Sequence, residues 1–338
     1  MNRIRWVDYM KAFSILAVVL NHTNHILPEL ISVVYIVCLP AFFFTAGMFA
    51  NTQLTPKDFF YRKTRRLLIP FFFFGIVTWV FWYFVIRNYG NDTDTTSPWW
   101  LPLLGLVSGK SEMLIQNTPL WFLCCLVSLE GVYYVLCRIR QKWLRLLMIV
   151  FIGAFGCFLS YLRQNWIWEI SAAFIILPIY SLGAEYNRWI QEKARTISSF
   201  QLQICLFISA IGIFLGVKYN GDVGLHSSYI GNPILYYISC ISVIGLWFST
   251  SLLVDTHLKH TQLIQYIGEN TLFILCTHKP TFSVIKGIAV LCNISLDFFE
   301  TNLGSLCLWA GSFAVLLPAS LIVNQFCPCI LGKKKTTP

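Results

Sequence analysis

The chain of 338 residues is 57% hydrophobic and only 12% charged, with a mean hydropathy of +0.65, which excludes a water-soluble domain and puts it in a bilayer. Its net charge of +10 falls in short clusters between apolar stretches rather than on one soluble face. That pattern excludes a nucleic-acid binder and reads as membrane orientation. Most of the 12 cysteines lie in apolar runs as small buried hydrophobes. Cys327 and Cys329 near the tail have no ligands spaced to help them, so no metal is expected.

About twenty apolar residues cross the hydrocarbon core as a helix, with every backbone polar group satisfied internally. Ten stretches fit, at 7–27, 30–50, 67–87, 119–137, 144–162, 168–186, 199–217, 233–253, 264–290 and 303–324. Pro178 and Pro280 are expected to kink the sixth and ninth. The fold class is therefore an all-α membrane protein of about ten transmembrane helices, in one domain over residues 1–338.

With the N-terminus inside, eighteen of the 25 Lys and Arg residues fall on the cytoplasmic side and four outside, so both termini should be cytoplasmic. The longest outer loop, 88–118, carries "NYGNDTDTTSPWW", whose turn residues and paired tryptophans suit a membrane-water interface. His226, His257 and His260 fall in polar loops and are expected to be solvated. No internal repeat is visible.

The first span carries Asp8, Lys11, His22 and His25. At 100° per residue, Lys11 and His22 lie within about 20° of each other and about 16 Å apart along the axis. Asp8 and His25, three residues outside them, complete one polar stripe. A charge at mid-membrane costs about 2.5–3.5 kcal/mol on the mildest scale, so the stripe should face a protein interior or a wet cavity. The simpler reading is a local Asp8–Lys11 pair at the interface, with the histidines meeting headgroups.

"DYMKAFSILAVVLNH" (8–22) resembles the first-helix signature of the integral-membrane acyltransferase family (acyltransferase type 3), with Lys11 where most members carry Arg. Lysine there is similar to the fucose 4-O-acetylase-like branch of sugar O-acetyltransferases. "LPAFFFTAGMFA" (39–50) resembles the second-helix pattern, with Ala46 in place of the usual serine. "YRKTRRLLIPFFF" (61–73), "PLWFLCCL" (119–126) and "IGENTLFILCTHKP" (267–280) are similar to the family's later elements, in the same order.

The resemblance implies a single transmembrane acyltransferase domain that moves an acyl group, most often acetyl, from acyl-coenzyme A to a hydroxyl of a cell-envelope carbohydrate. The acceptor would be lipid-linked or polymeric, in a multi-pass protein of the bacterial inner membrane surrounded by lipid. Acetyl-coenzyme A would be a co-substrate. A sugar hydroxyl is a poor nucleophile at neutral pH, so a general base is needed, and His22 is the candidate. A covalent acyl-histidine stays open.

Lys11, held by Asp8, would meet a phosphate or the pantetheine of the donor, and Arg62, Arg65 and Arg66 its phosphates. On charge alone that cluster is also a topology signal. His278, His25, Glu130 and Trp121 are the candidates for acceptor contact. Glu130, near mid-membrane, needs a partner such as Lys11 or an arginine. The competing class is a transporter or flippase for a glycan or lipid, which buried His and Lys would also suit, though no broken-helix repeat accompanies them.

Overall fold

The structure, a computed structural model, describes residues 4–23, 33, 36–88, 96–221 and 223–333. Every regular element among the described residues is helical. In chain order these are α1 (Arg5–Asn21), α2 (Pro40–Met48), α3 (Pro56–Ile86), α4 (Leu101–Ser108), α5 (Trp121–Leu136), α6 (Lys142–Tyr161) and α7 (Ile170–Glu185). There follow α8 (Asn187–Thr196), α9 (Ser199–Tyr219), α10 (Pro233–His257), α11 (Gln262–Glu269), α12 (Thr271–Leu291) and α13 (Asn302–Phe326). Seven of them, α3, α5, α6, α7, α9, α10 and α13, are long and apolar enough to cross a membrane.

The ninth expected stretch, 264–290, is two helices. Asn270 stops α11 by donating its Nδ2 to the Tyr266 carbonyl, while its Oδ1 accepts from Asn324 Nδ2 at 2.7 Å. An asparagine can cap a helix end with its own amide, which is why the stretch breaks here. The stretch 88–118, expected as an outer loop, contains α4, which ends at Gly109 in the left-handed region (φ 67°). Only a residue without Cβ takes that conformation cheaply.

α1 is the hub. Val7, Tyr9, Met10, Ile15 and Val19 are fully buried on it, and α2, α10, α11, α12 and α13 pack around it. Gly268 of α11 lets the two backbones touch, because a Cβ there would collide with the Asp8 carbonyl. α2 crosses α7 through a reciprocal pair: a Cβ on Gly47 would strike the Tyr180 carbonyl, and one on Gly183 the Phe44 carbonyl. Small residues at helix crossings are how bundles in lipid gain close packing.

On α3, Thr55 caps the start by accepting from the Asp58 N–H, and Pro56 occupies the first turn, where its missing N–H costs nothing. Further along, Phe71 and Phe74 point into the bundle while Phe72, Phe73 and Ile76 face outward, as a lipid-facing stripe requires. Between the two parts the helix widens into π turns over Thr64–Leu68.

The basic clusters gather at one end of the bundle. Arg5 pairs with Asp255 at 3.2 Å, Tyr9 shares a buried hydrogen bond with Thr261, and Arg65 Nη2 donates to the Lys333 carbonyl. The opposite end carries His22 and the loops 109–120 and 223–232.

Candidate active site

Asp8 and Lys11 form an i, i+3 ion pair of 2.6 Å on the face α1 turns inward, with Asp8 almost wholly covered and Lys11 one-quarter exposed. The local pair expected from spacing is thus present. Lys11 lines an apolar cavity of about 200 Å³ whose other walls include Phe42, Ala46, Phe49, Leu126 and Leu272.

His22 terminates α1, its backbone N–H reaching the Val18 and Val19 carbonyls. Its ring lines a second cavity of about 170 Å³ with Asn21, Trp121, Asn220, His226 and Lys279. Lys279 Nζ donates to Thr118 Oγ1 at 3.4 Å. His278 lies behind this wall. It is completely buried, and its ring centroid stands 5.0 Å from that of His22. A carbonyl can only accept, so the 3.0 Å contact of His278 Nδ1 with Ile274 O assigns the proton to Nδ1. Its Nε2 is left as an acceptor with no hydrogen-bond partner, so His278 meets His22 by ring contact alone.

The turn carrying His278 and Lys279 depends on Pro280. A helical proline has no N–H, so the Cys276 carbonyl four residues earlier loses its donor. Asn117 Nδ2 replaces it at 2.8 Å, tying the start of α5 to α12 beside the cavity.

His226 is not solvated as its loop position suggested. Gly224 and Tyr229 exchange backbone hydrogen bonds of 2.8 and 3.0 Å, folding the loop into the bundle. There the His226 ring lies 6.3 Å from Trp121. Burial pushes its pKa below the ordinary range and Lys279 adds to the effect, while Glu112 opposes it. Ser111 Oγ donates to the His226 carbonyl at 2.7 Å and Asn165 Nδ2 at 3.3 Å, while Glu169 Oε1 accepts from the Ser111 N–H. Trp168 and Glu169 both adopt left-handed backbone (φ 55° and 53°). That strain is held by surrounding bonds such as Ser128 Oγ to the Trp168 carbonyl. The sequence signal for this loop was available in Leu225 and Ile230, apolar residues on either side of the histidine, both buried here.

A third pocket of about 40 Å³ opens among Arg62, Lys63, Arg66, Glu130 and Tyr180. Glu130 pairs with Lys63 rather than with Lys11 or an arginine. Arg62 and Arg66 share one face across the π turns, whereas Arg65 is turned to Lys333 and does not join them. His25 lies outside the described residues. Among the described residues no group of His, Cys, Asp and Glu could hold a metal ion.

The three cavities follow one another. Phe49 borders both the basic pocket and the apolar cavity, and Leu39, Phe122 and Leu275 border both the apolar and the histidine cavities. A cationic entrance, an apolar passage with one ammonium, and a chamber lined by imidazoles and an indole therefore lie in series.

A family model described as an acyltransferase domain matches residues 4–325. The chain is 23% identical over 170 residues to "Inner membrane protein YcfT" of Escherichia coli (strain K12), covering 49% of this chain and 42% of that protein. The match thus spans less than half the length of the relative. No solved structure matches.

Proposed function

The chain belongs to the acyltransferase family, and from that premise we propose that it transfers an acyl group, acetyl by preference, from acyl-coenzyme A to a hydroxyl of a cell-envelope carbohydrate. The observation that carries this reading is the series of cavities from Arg62 and Arg66, past Lys11, to His22. Coenzyme A has a polyanionic end and a long, largely uncharged arm ending in the thioester, and the polarity of the series matches that molecule in order. Arg62 and Arg66 meet the phosphates. Lys11, steadied by Asp8, meets the pantetheine carbonyls as a point charge where an arginine would offer a fork.

The acceptor enters the histidine chamber from the other end, with Trp121 offering a face on which a sugar ring can lie. His22 takes the hydroxyl proton as that oxygen attacks the thioester carbonyl; the C–O bond forms, the C–S bond breaks, and the proton passes to the departing thiolate. His278, packed ring against ring on His22, restricts the rotation of that imidazole. Glu130, paired with Lys63, contributes to the donor pocket. The acceptor is a lipid-linked or polymeric glycan, in keeping with the sugar acetyltransferase branch that Lys11 resembles. The site is a bacterial inner membrane with both termini inside, a placement supported by the gathering of basic residues at one end and by the name of the relative. A transporter reading has no support in the family.

The test is His22→Ala in an expressing strain, read by mass spectrometry of O-acyl groups on surface glycan. Loss of a general base lowers the rate by roughly 10²–10⁴, so the acyl mass should vanish while the protein still inserts. Undiminished acylation sinks the assignment.

A further inference from the structure

Leu39, Phe122 and Leu275 each line two cavities at once, the one holding Lys11 and the one holding His22. Leu39 immediately precedes α2, Phe122 lies in the first turn of α5 beside Trp121, and Leu275 sits on α12 one turn before His278. Phe122 and Leu275 are buried. The Phe122 ring is held by Phe42 and Phe43 at centroid separations of 5.8 and 4.8 Å. The partition offers only apolar side chains to either side, so neither a charged group nor a string of water molecules is stabilised there.

Lys11 and His22 are about 16 Å apart along α1, and the partition lies between their cavities. If the donor arrives past Lys11, as proposed above, its thioester must pass this point to meet His22. We infer that Leu39, Phe122 and Leu275 form a gate for the acyl thioester, which limits acyl length and keeps water of the outer chamber from the thioester. In the leak it prevents, water oxygen attacks the thioester carbonyl. The C–O bond forms, the C–S bond breaks, and a free carboxylic acid and the coenzyme A thiol result.

The inference rests on the coenzyme A reading, and its test separates the two. Full-length wild type, Leu275→Ala and Leu39→Ala are purified in lipid nanodiscs without acceptor. Release of free thiol is then measured from acetyl- and butyryl-coenzyme A. A fitted apolar site discriminates a single methylene by roughly 10–200-fold, so either alanine variant should gain tenfold or more on butyryl relative to acetyl. Release from both donors should exceed that of the wild type. Two variants on different elements guard against misfolding of one, and unchanged thermal midpoints identify the folded protein. Thiol release with an unchanged butyryl-to-acetyl ratio, or release no higher than wild type, overturns the gate alone. No release by any of the three proteins, together with no binding of coenzyme A, overturns the gate and the donor reading together.

Discussion

Asn117→Ala and Pro280→Ala test one hydrogen bond from both ends. Asn117 and Cys276 are fully buried, and the Asn117 amide is the donor that meets the Cys276 carbonyl, at 2.8 Å. Removing it strands a buried carbonyl, at a cost of about 1–3 kcal/mol. In a Pro280→Ala chain, the new backbone N–H at position 280 restores the helical bond to Cys276. Removing Asn117 from that chain costs only its packing, under about 1 kcal/mol. The coupling between the two substitutions is then about 1–2 kcal/mol, within the range for residues in direct contact. Reversible unfolding of the four proteins in mixed micelles, titrated with a denaturing detergent, gives the cycle. Equal costs of Asn117→Ala in both backgrounds, within about 0.5 kcal/mol, would refute the claim that the proline creates the need for the asparagine.

Neutralising Arg62 and Arg66 together to Gln should weaken coenzyme A binding to the purified protein by about tenfold or more, since each charged hydrogen bond is worth about 1.5–3 kcal/mol. Arg65→Gln, turned to Lys333, should change it little, and titration calorimetry separates the two. Lys63→Met leaves Glu130 buried without its ammonium and should cost about 3 kcal/mol, whereas Lys63→Met with Glu130→Gln should cost much less; thermal unfolding of the single and double variants decides. His226, lowered by burial from its ordinary value of 6.5, binds a proton less readily folded than unfolded. Its contribution to stability is present above about pH 6.5 and is lost as pH falls toward the lowered value. The melting temperature of His226→Gln should therefore fall less than that of the wild type between pH 7 and pH 5, and parallel curves would exclude His226 as a source of the slope.

The inward stripe on α1 could be read from sequence because a helix fixes its own angular bookkeeping: Asp8, Lys11 and His22 needed no knowledge of any other segment. On α3 the structure turns Phe71 and Phe74 inward and Phe72 and Phe73 outward, a split that helical spacing permits but does not orient. Contacts between distant segments were not readable in this way. Glu130 needed a cation, but nothing local selects Lys63, 67 positions away in the chain. His226 looked solvated because its loop is mostly polar despite Leu225 and Ile230, and the folding of that loop against Ser111 and Asn165 takes it inside. The division of 264–290 at Asn270 was hidden because hydropathy averages across the short polar step Glu269, Asn270 and Thr271, whereas a helix end turns on the side-chain bonds of Asn270.

The π turns at Thr64–Leu68 set the rotational phase of everything after them. Each i to i+5 bond accommodates one more residue per turn than the α-helical pattern, so the segment works as a built-in phase shift between the cationic half of α3 and its aromatic half. Were the same residues to follow an α-helical path instead, the aromatic half would turn by about 100° about the helix axis. Phe71 and Phe74 would swing toward lipid while the arginines kept their bearing. A single helix of 31 residues thus presents Arg62 and Arg66 to the pocket beside Glu130 at one end and Phe71 and Phe74 to the bundle at the other, the adjustment being made in angle within Thr64–Leu68.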